Sequence, residues 1–316
     1  MTAAPSLALP PASSAGLRKN TLIAMLLTAV AYAYFNIGDA ALKMLTLRGF
    51  HFSQIIVTNG CVIIACMCIA GAVKQGKQAF VMKKPGWVLI RALLSVGVSL
   101  LNTAAMPHIK LTTFYTLVFT SPFWVALLAA VFLKEKLELR RVLVILAGFA
   151  VIMCMFPPGS GLLDKYALFV LVGAFLYSCS MVVMRSLGPK ESRTMIISMG
   201  SFMGVCVSLP YLPSHFIWPT PYEWGLFFMM GLLGAISVSC IAYAFQNAPS
   251  ASVVAPFHYT QIVWGALLGY FLFDEMPEQR TIIGACCIIG LGLYLILSET
   301  RRKPAVPDAE GAVISS

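Results

Sequence analysis

The sequence predicts an all-α integral membrane protein of ten transmembrane helices, built as two inverted five-helix repeats. Three observations predict this: the composition, the length of the apolar runs, and a self-similarity at a spacing of 140 residues. The 316 residues are 59% hydrophobic and 11% charged, with a mean hydropathy of +0.86, far from soluble averages. A water-soluble fold of this length lacks the interior volume to hide so much apolar chain. The runs are about 18 to 25 residues long, which a helix rising 1.5 Å per residue needs to cross a hydrocarbon core of ~30 Å. A transmembrane barrel would show segments of about ten residues alternating apolar and polar, and no such pattern is present.

In chain order, residues 1–20 are rich in Ala, Ser and Pro and read as a mobile tail. Arg18 and Lys19 before an apolar run imitate a signal peptide, but the run is too long and lacks a small-residue cleavage site, so the first helix is expected to be retained. Spans follow at 21–43, 54–73, 87–106, 111–133, 139–156, 163–186, 194–212, 223–246, 251–273 and 280–298. They are separated by polar or proline-bearing breaks such as KQGKQAFVMKKPG at 74–86, FPPGSG at 156–161 and WPTPYE at 218–223. The weakest break is the APSAS turn around Pro249, and a chain continuous there would have nine spans. A second tail occupies 299–316.

The net charge of +10 would suit nucleic acid if it formed one basic face, but the charges sit in short loops, so no nucleic-acid partner is expected. With the amino terminus in the cytoplasm, sixteen of the 22 basic residues fall inside and only Arg48, Lys110, Lys165 and Arg280 outside, Lys43 and Arg91 lying within spans. That bias places both termini on the inside of a multi-pass protein of the inner (plasma) membrane. All nine cysteines fall within spans and read as small packing residues, with no spacing that suits a metal. No cofactor motif and no P-loop is present.

A shift of 140 residues brings Trp124 onto Trp264, Ala126 to Leu128 onto Ala266 to Leu268, Glu135 onto Glu275, Glu138 onto Glu278 and Arg140 onto Arg280. The charged matches in one register point to duplication. The shift equals five spans, an odd number, so the copies at 21–156 and 163–298 run in opposite senses across the membrane. The stretches PFWVALLAAVFLKEKLELRRVLVILAGFAVIM at 122–153 and VWGALLGYFLFDEMPEQRTIIGACCIIGLGLYLI at 263–296 resemble the EamA-type branch of the drug/metabolite transporter superfamily, over 21–298. The resemblance implies a ten-helix carrier of small metabolites such as amino acids, amines, nucleotide-like molecules or vitamins. PFHYTQIVWGALLGY at 256–270 also looks like segments of branches that move S-adenosylmethionine-like or flavin-like molecules.

Ionisable groups inside spans are costly and therefore candidates for function. His258, near mid-span, is the first: a neutral imidazole can bind solute or carry a proton, or simply bond a backbone carbonyl. Gln261 and Gly265 share its helical face. Asn36, Tyr115, Phe119, Trp124 and Trp264 join His258 and Gln261 as the expected substrate-binding set, the aromatics offering faces for a planar ring or a cation or else plain packing. Asp39 and Lys43, spaced i, i+4, are expected to pair as a gate or to sit at the interface, and Arg91 is expected as a gate, an anion partner or a topology anchor. Gly265 and Gly269 form a small-xxx-small pair, read as close helix packing with a homodimer contact as the second reading. Glu135, Glu138, Glu275 and Glu278 are expected to be solvated turn residues.

These features together predict secondary active transport of a small organic solute by alternating access, with proton coupling through His258 as one form of it and membrane lipid as the surrounding partner. The alternatives are an intramembrane lipid-modifying enzyme or a membrane sensor or scaffold. An enzyme would need a nucleophile beside a base, or clustered metal ligands. No GxSxG or HExxH motif occurs, so no catalytic and no metal-binding residues are expected.

Overall fold

The computed structural model describes residues 14–134, 139–155, 165–188, 191–247, 255–276 and, beyond these, 279–280, 282–284, 286–287, 290–291 and 294. Glu135, Glu138, Glu278, Pro249 and the 299–316 tail lie outside them, as does most of the tenth span. Among the described residues there is no strand. Among the described residues six helical segments are long and apolar enough to cross a membrane. They are α1 (Ser14–Leu47), α2 (Phe52–Gln75), α3 (Pro85–Ala105), α7 (Lys165–Leu187), α8 (Arg193–Ser208) and α10 (Pro221–Asn247). Shorter helices complete the bundle: α4 (Leu111–Val118), α5 (Ser121–Phe132), α6 (Leu139–Met155), α9 (Leu212–His215) and α11 (Gln261–Phe273). The chain is thus an all-α, multi-pass membrane protein.

Three expectations change in detail. The first helix begins at Ser14, inside the expected 1–20 tail, because a helix continues past the hydrocarbon wherever polar residues can be solvated. The seventh span runs on past the expected 212, since a 3₁₀ segment at Leu209–Tyr211 and α9 carry it from Ser208 to His215, with Pro210 and Pro213 interrupting the α-helical ladder. The fourth and ninth spans, expected to be continuous, are broken near their middles. α4 stops at Val118 and α5 starts at Ser121. A 3₁₀ segment over Ala255–Thr260 precedes α11, which starts at Gln261. Pro122 lacks an N–H, which removes a bond from the ladder next to the first break, and Pro256 stands near the start of the 3₁₀ segment that precedes the second.

The two breaks share a register. Thr120 Oγ1 donates to Leu117 O at 2.9 Å, and Thr260 Oγ1 donates to Phe257 O at 2.8 Å, 140 residues on. α5 and α11 start at residues 140 apart. The left-handed residues that follow them, Lys134 (φ 52°) and Asp274 (φ 51°), are again 140 apart. From neighbouring starting points α5 and α11 run to opposite ends of the bundle: Ala129 packs with Ala31 and Met184, whereas Phe273 packs near Leu45 and Phe50.

Helix partners recur in the same way. α1 packs on α10 as α7 packs on α3; α3 meets α8 as α10 meets α2; α5 meets α7 as α11 meets α1. Two apolar clusters close the ends. One, at the Leu47 end, is built on Leu45, Phe50, Leu111, Leu117, Val170 and Phe227. The other, at the Met25 end, is built on Ala31, Met67, Ala129, Met184, Ala242 and Phe245.

Candidate functional site

Between the clusters lies a cavity of about 280 Å³, of the size that suits a small organic molecule. Its walls come from α1, α2, α3 and α4 interleaved with α7, α8, α10, the 255–260 segment and α11. Small residues let the wall helices approach closely. A Cβ on Gly60 would lie 2.7 Å from Val205, and one on Gly173 2.7 Å from the Asn102 amide oxygen, so α2 crosses α8 and α3 crosses α7 at contact distance.

The break before α11 places His258 in the wall with 4% exposure. Its ring stacks on Tyr32 at 4.5 Å between centroids and 3° between planes, with Phe119 edge-on at 6.2 Å and Tyr177 at 5.2 Å. Its Nδ1 lies 2.9 Å from Ser121 Oγ, the first residue of α5, so one hydrogen bond joins the two broken spans. Ser178 Oγ donates to Ser121 O at 3.0 Å, and the Tyr32 and Tyr177 hydroxyls meet at 3.0 Å. A serine beside a histidine is the pair an enzyme needs. Ser121, however, is fully buried and does not line the cavity, so its hydroxyl positions the imidazole instead of facing a solute.

Gln261 lines the cavity and is buried, and its Oε1 has no partner among the described residues. Tyr115 lines it too, donating its hydroxyl to Asp39 Oδ2 at 3.0 Å. The Tyr115 ring fills the space that the missing side chain of Gly265 leaves, so Gly265 serves packing inside the chain. Asp39 and Arg91 face the same cavity. Arg91 reads better as a wall residue than as a surface anchor: it is buried, and Nη1 donates to Ile196 O at 2.8 Å. Asn59 and Asn102 also line the wall, each with its Oδ1 unpartnered among the described residues.

Four expected binding residues stand off the cavity. Asn36 is buried behind it, its amide donating to Tyr32 O at 2.7 Å. Phe119 lies behind His258. Trp124 packs on Phe123 and Phe175, each at 5.3 Å, and Trp264 is 41% exposed on the outer face. Both tryptophans were expected from repeat symmetry and aromatic character, and neither property sets the direction in which a side chain faces.

The expected Asp39–Lys43 pair is replaced. Lys43 turns to Glu275 and forms a buried ion pair with it, also donating to Ile109 O at 3.4 Å and lying 4.8 Å from the Phe273 ring centroid. Glu275 is therefore no solvated turn residue: its other oxygen accepts the Leu111 N–H at 3.0 Å, at the start of α4. A carboxylate suits a helix amino terminus, and this one ties α1, α4 and the end of α11 together. Sequence reasoning missed Glu275, Ser121, Asn59, Tyr32 and Tyr177. The repeat match of Glu275 with Glu135 was the available signal for the first; the others are common residue types on common helices.

Comparison with known proteins agrees with this geometry. Residues 164–298 match the EamA-like transporter family. The chain is 27% identical to an S-adenosylmethionine uptake transporter of Rickettsia prowazekii over 75% of its own length and 81% of that protein. It is 28% identical to the pseudopaline exporter CntI of Pseudomonas aeruginosa over 68% and 75%, and 29% identical to a riboflavin transporter of Rhizobium johnstonii over 69% and 72%. A solved crystal structure of 16% identity superposes with a TM-score of 0.68 over 90% of this chain and 98% of its own, which speaks to fold alone. The family's domain over 164–298 and relatives named as transporters of small metabolites make this chain similar to EamA-type transporters of the drug/metabolite transporter superfamily, and point to a transporter rather than an enzyme.

Proposed function

We propose that the chain carries its solute across the inner membrane by alternating access between two inverted five-helix repeats, 21–156 and 163–298, with both termini cytoplasmic. The observation that carries this reading is the pair of broken spans in one 140-residue register, whose second halves leave the cavity in opposite directions. Inverted repeats with discontinuous helices at a central site are the geometry that lets one cavity open to either side in turn. The helix partnerships that recur between halves and the apolar clusters at both ends of the cavity support it. The fold alone would be an analogy; the polar wall residues inside an apolar bundle add chemistry to it.

Within this reading His258, Gln261, Tyr115 and Asp39 contact solute, Arg91 does so from the other end, and the Lys43–Glu275 pair holds the Leu47 end closed. The named relatives handle metabolites with an amino-acid moiety or a planar ring system, and the Tyr32–His258 stack beside polar groups suits that class. The test is reconstitution in liposomes with a metabolite pool, with and without an imposed pH gradient. Solute accumulation by wild type, lost in a folded His258→Ala variant, is the expected result. Accumulation that ignores the gradient would remove proton coupling, and no flux of any solute would remove alternating-access transport itself.

A further inference from the structure

We propose that the cavity takes an elongated amphoteric solute, its cationic group against Asp39 and its anionic group against Arg91, on the transport reading above. Both residues line one cavity. Among the described residues the ion pairs join Lys43 to Glu275 and Arg48 to Glu223, so neither Asp39 nor Arg91 meets an opposite charge. Asp39 accepts from the Tyr115 hydroxyl. Arg91 donates to a single backbone carbonyl, and its Nε has no partner. Unpaired charge inside a bundle is costly, and two opposite charges in one cavity could have met. Here they are held apart, each open to a ligand.

The separation sets the length of the solute. Asp39 lies seven residues along α1 from Tyr32, about 10 Å, and the Tyr32 hydroxyl meets that of Tyr177. Ser95, one turn from Arg91 on α3, faces Ser180 at 3.4 Å, one turn beyond Tyr177 on α7. The carboxylate and the guanidinium are therefore roughly 10 to 15 Å apart along the bundle. A molecule whose two charges share one carbon reaches only one of them. Asn59, Asn102 and Gln261 line the same cavity, and their buried amide oxygens have no partner among the described residues.

The probes are 8-aminooctanoate, octylamine, octanoate and leucine, tested on the full-length protein in detergent by concentration-dependent thermal shift. The same compounds are then used to inhibit metabolite flux in liposomes. 8-Aminooctanoate is expected to bind about tenfold tighter than each of the others, as one extra charge-assisted bond provides. Asp39→Asn should erase its advantage over octanoate and keep that over octylamine; Arg91→Gln should do the reverse. Equal binding of the probes to wild type, no binding of any, or a loss in either variant that ignores the charge of the probe would overturn the proposal. If neither variant is monodisperse, the wild-type ranking decides. Equal binding beside intact metabolite flux sinks the charge assignment alone, whereas absence of all flux sinks the transport reading with it.

Discussion

The two broken spans, residues 111–132 and 255–273, share a backbone and differ in what they show the cavity. Each breaks at a threonine whose hydroxyl folds back on a carbonyl three residues earlier, and each is followed by a left-handed residue. Yet the first contributes Tyr115, which reaches across to Asp39, while the second contributes His258 and Gln261. At positions 140 apart the first has Ser121, buried under the imidazole, and the second has Gln261, which lines the cavity. The first has Val125 where the second has Gly265, whose bare backbone accepts the Tyr115 ring. Symmetry of backbone is thus compatible with asymmetry of chemistry, because a duplicated scaffold needs only its breaks and crossings preserved, whereas a solute without two-fold symmetry needs different groups at its two ends.

The largest effect expected from testing this comparison is at the end of the second span. Glu275→Gln leaves Lys43 buried without its partner and should cost about 3 kcal/mol, the lower end for breaking such a pair. A marked fall in the melting temperature of the purified protein is expected; an unchanged one would mean that the pair does not hold the Leu47 end. Next comes Gly265→Val, which gives the second span the residue of the first. The added side chain meets the Tyr115 ring, so a loss of about 1–3 kcal/mol by the same assay, together with reduced flux, is expected. A stable, active variant would show that the two positions are interchangeable.

Ser121→Ala and Gln261→Ala separate position from contact. Removing the serine leaves a buried imidazole nitrogen without its partner and should cost about 1–3 kcal/mol of stability. Removing the glutamine deletes a buried, cavity-lining amide that also interacts with His258; melting should fall by less than for the serine while KM for transport rises. Equal melting shifts in both would place the two residues in the same role. The smallest difference is expected between Thr120→Val and Thr260→Val. Each should cost about 1 kcal/mol for one lost hydrogen bond, by equal amounts if the breaks are equivalent, and unequal shifts would show that one break depends on its surroundings more than the other.

Particular residues show how far the sequence could be read. His258, Gln261, Tyr115, Asp39 and Arg91 were legible because polar or ionisable groups inside apolar spans stand out against their neighbours, and the structure brings all five to one cavity. Trp124 and Trp264 matched across the repeat, yet both stand off the cavity, since a repeat conserves any residue that suits its local packing, lipid-facing ones included. Asp39 and Lys43 have the spacing of a helical pair, but spacing offers a partner without excluding a better one, and Glu275 arrives from 232 residues away.

The sequence by itself determined that this chain belongs in a bilayer, that its elements are helices, and that residues around Trp124 resemble those 140 positions on; hydropathy, length and self-similarity are local or additive properties of the chain. Only the tertiary structure decided which side chains share a cavity, that Ser121 orients His258, and that Lys43 prefers Glu275 to Asp39. Each of these depends on which helices meet and on the rotation of each about its own axis. Two short breaks, invisible as composition, reset that rotation in the middle of a span.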